Sequence, residues 1–321
     1  SNETSAMKRN PGRLSRSCFD LLVVGGGIVG AGIAWDAAQR GLSCALVERG
    51  DWACGTSSKT SKLIHGGLRY LEQLDFRLVK ESLRERETLL KIAPGLVKPL
   101  AFLIPLVGSS ARPWWKIRLG VWLYDFLSQQ YILEKHCVLT ADEVCRIIPG
   151  IQRDGLVGGV TYSDAQMDDA RLCLENILSA AEKGAHVMNY AEVRSLIQEN
   201  GKTVGVNVQH QLSQEIFEVR AKKIVCAVGP WRNIFMRREH KQSPPKVRTT
   251  KGIHVVYKEK FSDQALVVPS LEKRRIFFVI PWENQTLLGT TDTPYEGDPN
   301  NVQVEQEDIH YLLKAFNHYF P

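Results

Sequence analysis

The sequence predicts an α/β fold of two domains, one built on a parallel β-α-β unit and the other on an antiparallel β-sheet. Its 321 residues suffice for two cores, because a domain usually has about 150 residues. Residues 19–48 follow the pattern strand, glycine-rich turn, helix, second strand. Residues 247–288 consist mainly of short strands with alternating apolar residues, which is typical of an antiparallel sheet that covers a pocket.

The β-α-β unit carries the glycine spacing of a dinucleotide-binding turn. An apolar run, Leu21 to Val24, stops at three glycines, and Gly25, Gly27 and Gly30 then match G-x-G-x-x-G. The first glycine permits the turn, the second lets the backbone approach a pyrophosphate, and the third lets the helix pack close to the strand. The phosphates lie at the open N-terminus of that helix. We therefore expect a Rossmann-like unit that binds a dinucleotide.

Glu48 completes this unit. The helix Ile28 to Arg40 ends at Gly41, and the strand Cys44 to Val47 leads directly into Glu48. An acid about 20 residues beyond the glycines binds the ribose in such units. The unit does not distinguish a nicotinamide from a flavin dinucleotide, because both use this fingerprint. An ordinary strand-turn-helix connection is the alternative without a ligand.

Composition limits the possible classes. The net charge of +6 suits an anionic substrate or an anionic membrane surface and does not require nucleic acid. The seven cysteines contain no C-x-x-C pair, so we predict no disulfide framework, no metal site and a reduced, cytoplasmic compartment. No apolar run reaches the roughly 18 residues of a spanning helix. We expect residues 1–17 to be a tag and a disordered basic lead-in, because they lack the apolar segment of a secretory signal.

The second informative stretch is residues 55–72, GTSSKTSKLIHGGLRYLE. It follows the second strand, and ligands bind at this carboxyl edge of the sheet in open α/β folds. Its backbone amides and hydroxyl groups can solvate phosphates. The hydroxyl residues are Thr56, Ser57, Ser58 and Ser61. A flexible surface loop is the alternative.

Residues 112–127, RPWWKIRLGVWLYDFL, mix basic residues with large aromatic residues in a helical pattern. Such a helix suits the surface of an anionic bilayer. Ile117, Val121, Tyr124 and Leu127 also form an ordinary buried face, and we favour a helix that faces the core.

Residues 155–229 predict a strand, a long helix from Asp168 to Lys183, and a β-meander. The meander strands are AEVRSLIQ, KTVGVNVQ and EIFEVR, followed by a buried strand KIVCAVG. Asn200-Gly201 is a strong signal for a hairpin. We expect the meander to lead back to the dinucleotide-binding sheet.

In combination, these motifs resemble the FAD-dependent glycerol-3-phosphate dehydrogenases and the closely related oxidases. The segments that carry the resemblance are FDLLVVGGGIVGAGIAWDAAQRG, LVERGDWACGTSSKTSKLIHGGLRYLE, RLGVWLYDFL, YSDAQMDDARLCLEN, KIVCAVGPW, KGIHVV and LLGTTDTPYEGDP. The resemblance implies a glutathione-reductase-type FAD-binding domain with an antiparallel substrate cap. It also implies a chain that continues beyond Pro321, so we expect a C-terminally truncated member.

The expected boundaries follow from this resemblance. The discontinuous FAD-binding domain is expected in residues 18–95, 163–240 and 286–321, and the cap in residues 96–162 and 241–285. Val193 is expected to contact the adenine through its backbone. The residues expected to bind FAD are Gly25, Gly27, Gly30, Glu48, Thr56, Ser57, Ser58, Ser61, Lys62, Leu63, His65, Val193 and Gly229.

Oxidation of an alcohol needs a hydride acceptor, a base and, for a phosphorylated substrate, fixed positive charge. We expect His254, in KGIHVV, to be the base, because an ordinary histidine titrates near pH 6.5. A packed or exposed structural histidine is the alternative. Arg69 offers a planar fork for a phosphate and Tyr70 an adjacent hydroxyl. A helix surface with a salt bridge to Glu72 is the alternative for this pair.

The resemblance implies the oxidation of sn-glycerol 3-phosphate to dihydroxyacetone phosphate, with electrons passed from FAD to a membrane quinone. An oxidase that uses oxygen, a flavin amine oxidase of the same fold and a non-catalytic fragment are the alternatives. The expected partners are a small phosphorylated substrate, a quinone, the inner face of the cell membrane as a peripheral contact, and a second copy of the chain in a homodimer.

Overall fold

The computed structural model describes residues 9–67, 75–108, 114–127, 134–239, 247–269 and 276–321. The helices are α1 (Pro11–Ser15), α2 (Ile28–Gln39), α3 (Phe76–Ile92), α4 (Trp114–Leu127), α5 (Ala141–Ile147), α6 (Asp169–Glu182), α7 (Arg232–Glu239) and α8 (Gln306–Tyr319). The strands are β1 (Cys18–Val24), β2 (Cys44–Val47), β3 (Leu63–Ile64), β4 (Val97–Val107), β5 (Cys137–Thr140), β6 (Leu156–Met167), β7 (His186–Met188), β8 (Ala191–Glu199), β9 (Lys202–His210), β10 (Ile216–Cys226), β11 (Thr250–Lys251), β12 (His254–Tyr257), β13 (Ala265–Pro269), β14 (Ile276–Trp282), β15 (Gln285–Gly289) and β16 (Thr293–Pro294). Single 3₁₀ turns lie at Thr56–Ser58, Gly229–Trp231 and Pro299–Asn301.

The chain divides into two compact units. The first contains Ser1–Thr60 and Asp168–Thr249, and the second contains Ser61–Met167 and Thr250–Pro321. This division differs from the expected boundaries, because residues 61–95, 163–167 and 286–321 belong to the second unit and residues 241–249 to the first. The cause is strand pairing and packing: β3 pairs with β6, and Phe316 of α8 lies in the core of the second unit's large sheet.

The described end of the N-terminal segment is ordered, where the sequence suggested a disordered lead-in. Residues Pro11–Ser15 form α1, and the Asn10 side chain caps this helix by accepting from the amide of Arg13. Leu14 is only 2% exposed and belongs to a core of the first unit. The Arg9 Nε atom also donates to Asn189 Oδ1 at 2.7 Å. A buried leucine and the contacts of Arg9 therefore hold a segment whose composition alone indicated disorder.

The first unit contains the predicted Rossmann-like sheet. Its strand order is β7-β2-β1-β10-β9-β8, with β7, β2, β1 and β10 parallel and the last three strands forming an antiparallel meander. Strand β1 lies between two cores, because Leu22 packs into one and its neighbour Val23 into the other. A strand buried on both faces has a continuous apolar run rather than an alternating one. This explains the sequence LLVV before the glycines.

The meander enters the parallel sheet through one unbroken strand. The sequence suggested separate strands for EIFEVR and KIVCAVG, but β10 runs through both. Its first half pairs antiparallel with β9, and its second half pairs parallel with β1. The predicted hairpin between β8 and β9 is present, with Asn200 and Gly201 at φ values of 49° and 76°. Both values are left-handed, as a tight hairpin turn requires.

The second unit is built on a larger, mainly antiparallel sheet in the order β12-β15-β14-β13-β4-β6-β3, and β5 also pairs with β6. Strand β4 contains two prolines, Pro99 and Pro105. It pairs with β6 along its length but with β13 only at Phe102 and Leu103. A proline is tolerated where its missing amide would face away from the pairing strand.

Candidate functional site

The glycine turn of the first unit is constrained by the chain itself at two positions. A Cβ on Gly25, which has a φ of +113°, would lie 2.5 Å from the carbonyl oxygen of Ala227. A Cβ on Gly30 would lie 1.9 Å from the carbonyl oxygen of Gly25. These are backbone clashes that no side-chain rotation relieves. The turn and the close approach of α2 to β1 therefore require glycine at both positions, as the spacing predicted.

Gly27 has a different role. A Cβ on Gly27 would meet only the Ser57 hydroxyl, at 3.0 Å. Gly27 is the N-cap of α2 and provides no side-chain cap, and the first turn of α2 contains no acidic residue. The positive end of the helix dipole and its amides therefore suit an anion such as a pyrophosphate. The residues present fit the predicted dinucleotide.

The structure brings Ser57 to this helix terminus. The 3₁₀ turn Thr56–Ser58 places the Ser57 Oγ 2.9 Å from the amide of Ile28, which donates to it. Asp169 also holds the loop, because its carboxylate accepts hydrogen bonds from both the amide and the hydroxyl of Thr60, at 3.2 and 2.7 Å. Asp169 is 4% exposed. The alternative of a loose surface loop does not describe this part of the stretch.

Glu48 fixes the turn in addition to its predicted role. One carboxylate oxygen accepts from the amide of Gly26 at 2.7 Å, and the other accepts from the amide of Gly50 at 2.8 Å. A carboxylate has about four lone-pair sites, so acceptor capacity remains for a ribose hydroxyl. The sequence spacing predicted Glu48 as the acid, but only the fold shows that its carboxylate also binds the backbone at Gly26 and at Gly50.

Two other predicted contacts lie on segments joined to this turn. Val193 lies two residues after Ala191, whose amide donates to the carbonyl oxygen of Glu48 at 2.7 Å. Gly229, at a φ of +54°, follows β10 and the residue Ala227, whose amide donates to Val24 at 2.8 Å. Their contacts with adenine and flavin stay predictions.

The sequence analysis did not identify two tryptophans that surround the turn. A Cβ on Gly26 would lie 2.5 Å from the Trp52 ring, and one on Gly55 would lie 3.0 Å from Trp231. The Arg49 guanidinium lies over the Trp231 ring at 4.5 Å from its centroid. The sequence did contain a signal for these two residues, because each tryptophan lies in or next to a glycine-rich segment. A flat ring can pack against the bare backbone of a glycine.

In the second unit, the structure joins the predicted base to the predicted flavin loop. The Ser61 Oγ lies 2.9 Å from the His254 Nε2. His254 begins β12 and pairs with Gly289 of β15. A Cβ on Gly289 would lie 2.4 Å from the imidazole Cδ2. The ring is therefore held between a hydroxyl group and bare backbone, which sequence spacing across 193 positions could not show.

The other predicted residues of this loop lie along β6 and β14. Lys62 has a φ of +59°, and its carbonyl oxygen accepts from the amide of Met167 at 2.8 Å. Leu63 is buried, and the His65 ring lies 5.5 Å from the ring of Phe278. Arg69 and Tyr70 lie outside the described residues.

A buried ion pair fixes the strand that leads to His254. The Lys251 Nζ lies 2.7 Å from Asp308 Oδ2 and 2.9 Å from Glu305 Oε2, and the Lys251 and Asp308 side chains are only 5% and 7% exposed. The hydrogen bonds with Asp308 and Glu305 raise the pKa of Lys251. The lysine therefore stays charged, and it ties β11 to α8 beside the predicted base.

A groove of about 420 Å³ runs along α2, and its lining includes Ile28, the residue directly after Gly27. Its charged lining residues, Asp36 and Arg40, form an ion pair with each other at 2.7 Å.

A parallel sheet, a glycine turn at an open helix terminus and an acid at the end of β2 define a dinucleotide-binding α/β protein. Residues 20–321 match the family model described as FAD dependent oxidoreductase. The chain belongs to this family, and FAD is the family's cofactor, as the sequence analysis expected.

Known proteins agree with this assignment. The aerobic glycerol-3-phosphate dehydrogenase of Escherichia coli (strain K12) is 42% identical over 94% of this chain and 59% of its own length. The alpha-glycerophosphate oxidase of Streptococcus pyogenes serotype M1 is 39% identical over 94% of this chain and 51% of its own length. The structure of the glycerol-3-phosphate dehydrogenase from Bacillus halodurans complexed with FAD has a TM-score of 0.79 at 33% identity, over 97% of this chain and 55% of that one.

The chain spans 52–59% of the length of four curated glycerol-3-phosphate dehydrogenases that it matches. Among the helices of the described residues, none is long and apolar enough to cross a membrane.

A Cβ would clash with backbone at Gly25 and Gly30 but would meet only the Ser57 side chain at Gly27. We expect Gly27→Ala to lower FAD affinity at least tenfold, about 1.4 kcal/mol, because the added methyl group blocks the approach of the pyrophosphate. Gly32→Ala in the same helix is the matched control, since nothing lies within 4 Å of that Cβ. Flavin titration and thermal melting measure both effects. Equal FAD affinity in the two variants would contradict the placement.

Proposed function

We propose that this chain binds FAD and oxidises sn-glycerol 3-phosphate at C2 to dihydroxyacetone phosphate. The observation that carries the proposal is the 2.9 Å contact between His254 Nε2 and Ser61 Oγ, which joins the expected base to the expected flavin loop. The glycerol-3-phosphate dehydrogenases and the glycerophosphate oxidase among the relatives support the substrate.

The proposal assigns the proton, the orientation of the base and the phosphate to separate residues of this chain. FAD held at Gly27, Glu48 and Ser57 would supply the hydride acceptor for C2. His254 accepts the C2 hydroxyl proton as the C–O single bond becomes a carbonyl, so the substrate loses one hydride and one proton. Ser61 and the Gly289 backbone hold the imidazole in place. Arg69 holds the phosphate through its planar fork, and Tyr70 adds a hydrogen bond.

The base is tested by replacing His254. General-base catalysis contributes about 10²- to 10⁴-fold, so we expect His254→Ala to slow flavin reduction by roughly 3 to 5 kcal/mol at 1.36 kcal/mol per decade. Ser61→Ala should slow it less, because the base remains and only its orientation is lost. Stopped-flow bleaching of the flavin with glycerol 3-phosphate measures both.

The pH dependence and a second histidine provide the controls. A base must be unprotonated to act, so the rate of flavin reduction should rise with pH in the parent enzyme. In His254→Ala, the rate should no longer rise with pH. His318→Ala, an exposed histidine in the same unit, should retain the parent rate and its rise with pH. A His254→Ala rate within a factor of about three of the parent would exclude this base, since even the smallest usual contribution is larger.

The phosphate contact is tested with Arg69→Lys, which keeps the positive charge but loses the bidentate fork. We expect the KM for glycerol 3-phosphate to rise about tenfold, the effect of losing about 1.4 kcal/mol of binding, while the oxidation of unphosphorylated glycerol changes little. Steady-state assays on both substrates measure the difference. A similar loss on both substrates would show that Arg69 does not bind the phosphate.

We further propose that a membrane quinone accepts the electrons. Support comes from helix α4, which has two apolar faces. Val121 and Tyr124 are 1% and 2% exposed and pack in a core of the second unit. Opposite them lies an exposed stripe, whose members are Trp115, Leu119, Trp122 and Phe126, each more than half exposed. Both sequence interpretations of this helix, the core-facing and the surface-binding one, therefore have a face that supports them.

The exposed stripe suits an anionic bilayer surface at the inner face of the cell membrane. Its spacing of four, three and four residues places it on one side of a helix, and the Trp122 and Phe126 rings stack at 5.8 Å. Large exposed apolar stripes on a protein mark interaction sites. The exposed Arg118 of the same helix and the net charge of +6 complement anionic headgroups.

Vesicle flotation tests this membrane contact. We expect binding to vesicles containing about one third phosphatidylglycerol, weaker binding to pure phosphatidylcholine, and loss of binding in Trp115→Ser/Trp122→Ser. Val157→Ser, another exposed apolar residue of the second unit at 61% exposure, is the matched control. If the double variant floats as well as the parent, α4 is not the membrane contact.

The electron acceptor has two candidates. A quinone analogue should reoxidise the reduced flavin faster than air does, whereas rapid formation of hydrogen peroxide would favour the oxidase. Reduction of the flavin by glycine or proline instead of glycerol 3-phosphate would favour an amine oxidase. The expected homodimer stays a prediction, which a measurement of mass in solution decides.

A further inference from the structure

A buried polar cluster in the second unit does not belong to any part of the proposed mechanism. Its members are Arg86 of α3, Tyr124 of α4 and Asp164 of β6, and each is at most 2% exposed. Asp164 Oδ1 accepts from Arg86 Nη1 at 2.6 Å and from the Tyr124 hydroxyl at 2.6 Å. Arg86 Nη1 also donates to the carbonyl oxygen of Ser163 at 3.0 Å. Three elements therefore converge on one carboxylate oxygen.

The same oxygen holds a backbone amide of the predicted flavin loop. The amide of Gly66 donates to Asp164 Oδ1 at 3.0 Å. A Cβ on Gly66 would lie 1.8 Å from the Tyr124 hydroxyl and 2.8 Å from Asp164 Oδ1. The loop backbone is thus packed directly against the cluster, and only glycine leaves room for it.

Stability alone is a weak explanation for this cluster. A buried ion pair is often no more stabilising than apolar side chains of the same volume, because its charges lose their hydration. Burial, together with the negative charge of Asp164, raises the pKa of Tyr124 well above its usual value. The phenol therefore remains a neutral donor throughout the physiological range. Such a cluster specifies one geometry, which an apolar core does less strictly.

The geometry that it specifies is that of the loop containing Ser61. The strand β3, Leu63–Ile64, pairs with Gln166 and Ala165 of β6, next to Asp164. At one end of this loop Ser61 contacts His254, and at the other end Gly66 is bound to Asp164. Because β3 is only two residues long, its two flanking contacts determine where the loop lies.

We propose that Asp164, supported by Arg86 and Tyr124, is a positioning residue that fixes residues 61–67 so that Ser61 holds the His254 ring. The expected effect of Asp164 on catalysis rests on the proposed function. The expected effect of Asp164 on the position of the loop does not depend on that function.

Amide exchange followed by mass spectrometry, on the FAD-loaded protein, tests the loop directly. Tyr124→Phe removes one donor to Asp164 and keeps the ring, whereas Asp164→Asn removes the charge and keeps the shape. We expect both to accelerate exchange of the Gly66 amide about fivefold or more, the effect of one lost net hydrogen bond of about 1 kcal/mol. Tyr162→Phe is the matched control, because Tyr162 is buried in the same core and stacks on Phe102 at 5.1 Å.

Kinetics complete the test. We expect flavin reduction by glycerol 3-phosphate to slow about tenfold in Asp164→Asn and Tyr124→Phe, because a misplaced base costs rate, with KM within about twofold, since the phosphate contact is unchanged. Tyr162→Phe should change melting temperature alone. Unchanged Gly66 exchange in the folded variants would overturn the proposal, as would faster exchange with an unchanged rate. If the parent protein oxidises no glycerol 3-phosphate, the proposed function fails, and the exchange measurement still decides whether Asp164 fixes the loop.

Discussion

The contact between the start of α2 and the end of β1 is the constraint on which the first unit depends. A Cβ at Gly30 would lie 1.9 Å from the carbonyl oxygen of Gly25, so helix and strand meet backbone to backbone. At the N-terminus of α2, Gly27 provides no side-chain cap, and the amide of Ile28 donates to the Ser57 Oγ at 2.9 Å. A turn packed in this way suits an anion, and Glu48 stabilises the turn by accepting from the amide of Gly26.

In the second unit, buried charged side chains fix the positions of neighbouring elements, whereas in the first unit the close approach of α2 to β1 depends on glycine. Lys251 is held by Asp308 and Glu305 next to the strand of His254, and Asp164 is held by Arg86 and Tyr124 next to the loop of Ser61. Each charge is compensated by a partner in a different element, so each pair fixes the relative position of two elements. Directional hydrogen bonds suit this purpose better than apolar packing, which tolerates small displacements.

Membership of the FAD dependent oxidoreductase family agrees with both units. The family model covers residues 20–321, and the fold matches the glycerol-3-phosphate dehydrogenase complexed with FAD at a TM-score of 0.79. One fold commonly serves several chemistries, so a substrate must be argued from the residues of a site and not from the fold.

The sequence by itself determined the class of fold, the β-α-β unit, the hairpin at Asn200-Gly201 and the candidates Gly27, Glu48 and His254. These follow from local rules, because turn geometry, strand burial and helix capping depend on residues close in the chain. The sequence also indicated both faces of α4.

Only the tertiary structure decided the rest. In the structure, two expected strands form the single strand β10, and residues 61–95 belong to the second unit. The segment around Leu14 is ordered, because this leucine is buried. The tertiary structure also placed Ser61 against His254, and Gly66 against Asp164, across 193 and 98 positions of the chain. The physical reason is that such contacts depend on which strands pair and which charges are buried together, and no local pattern records those choices.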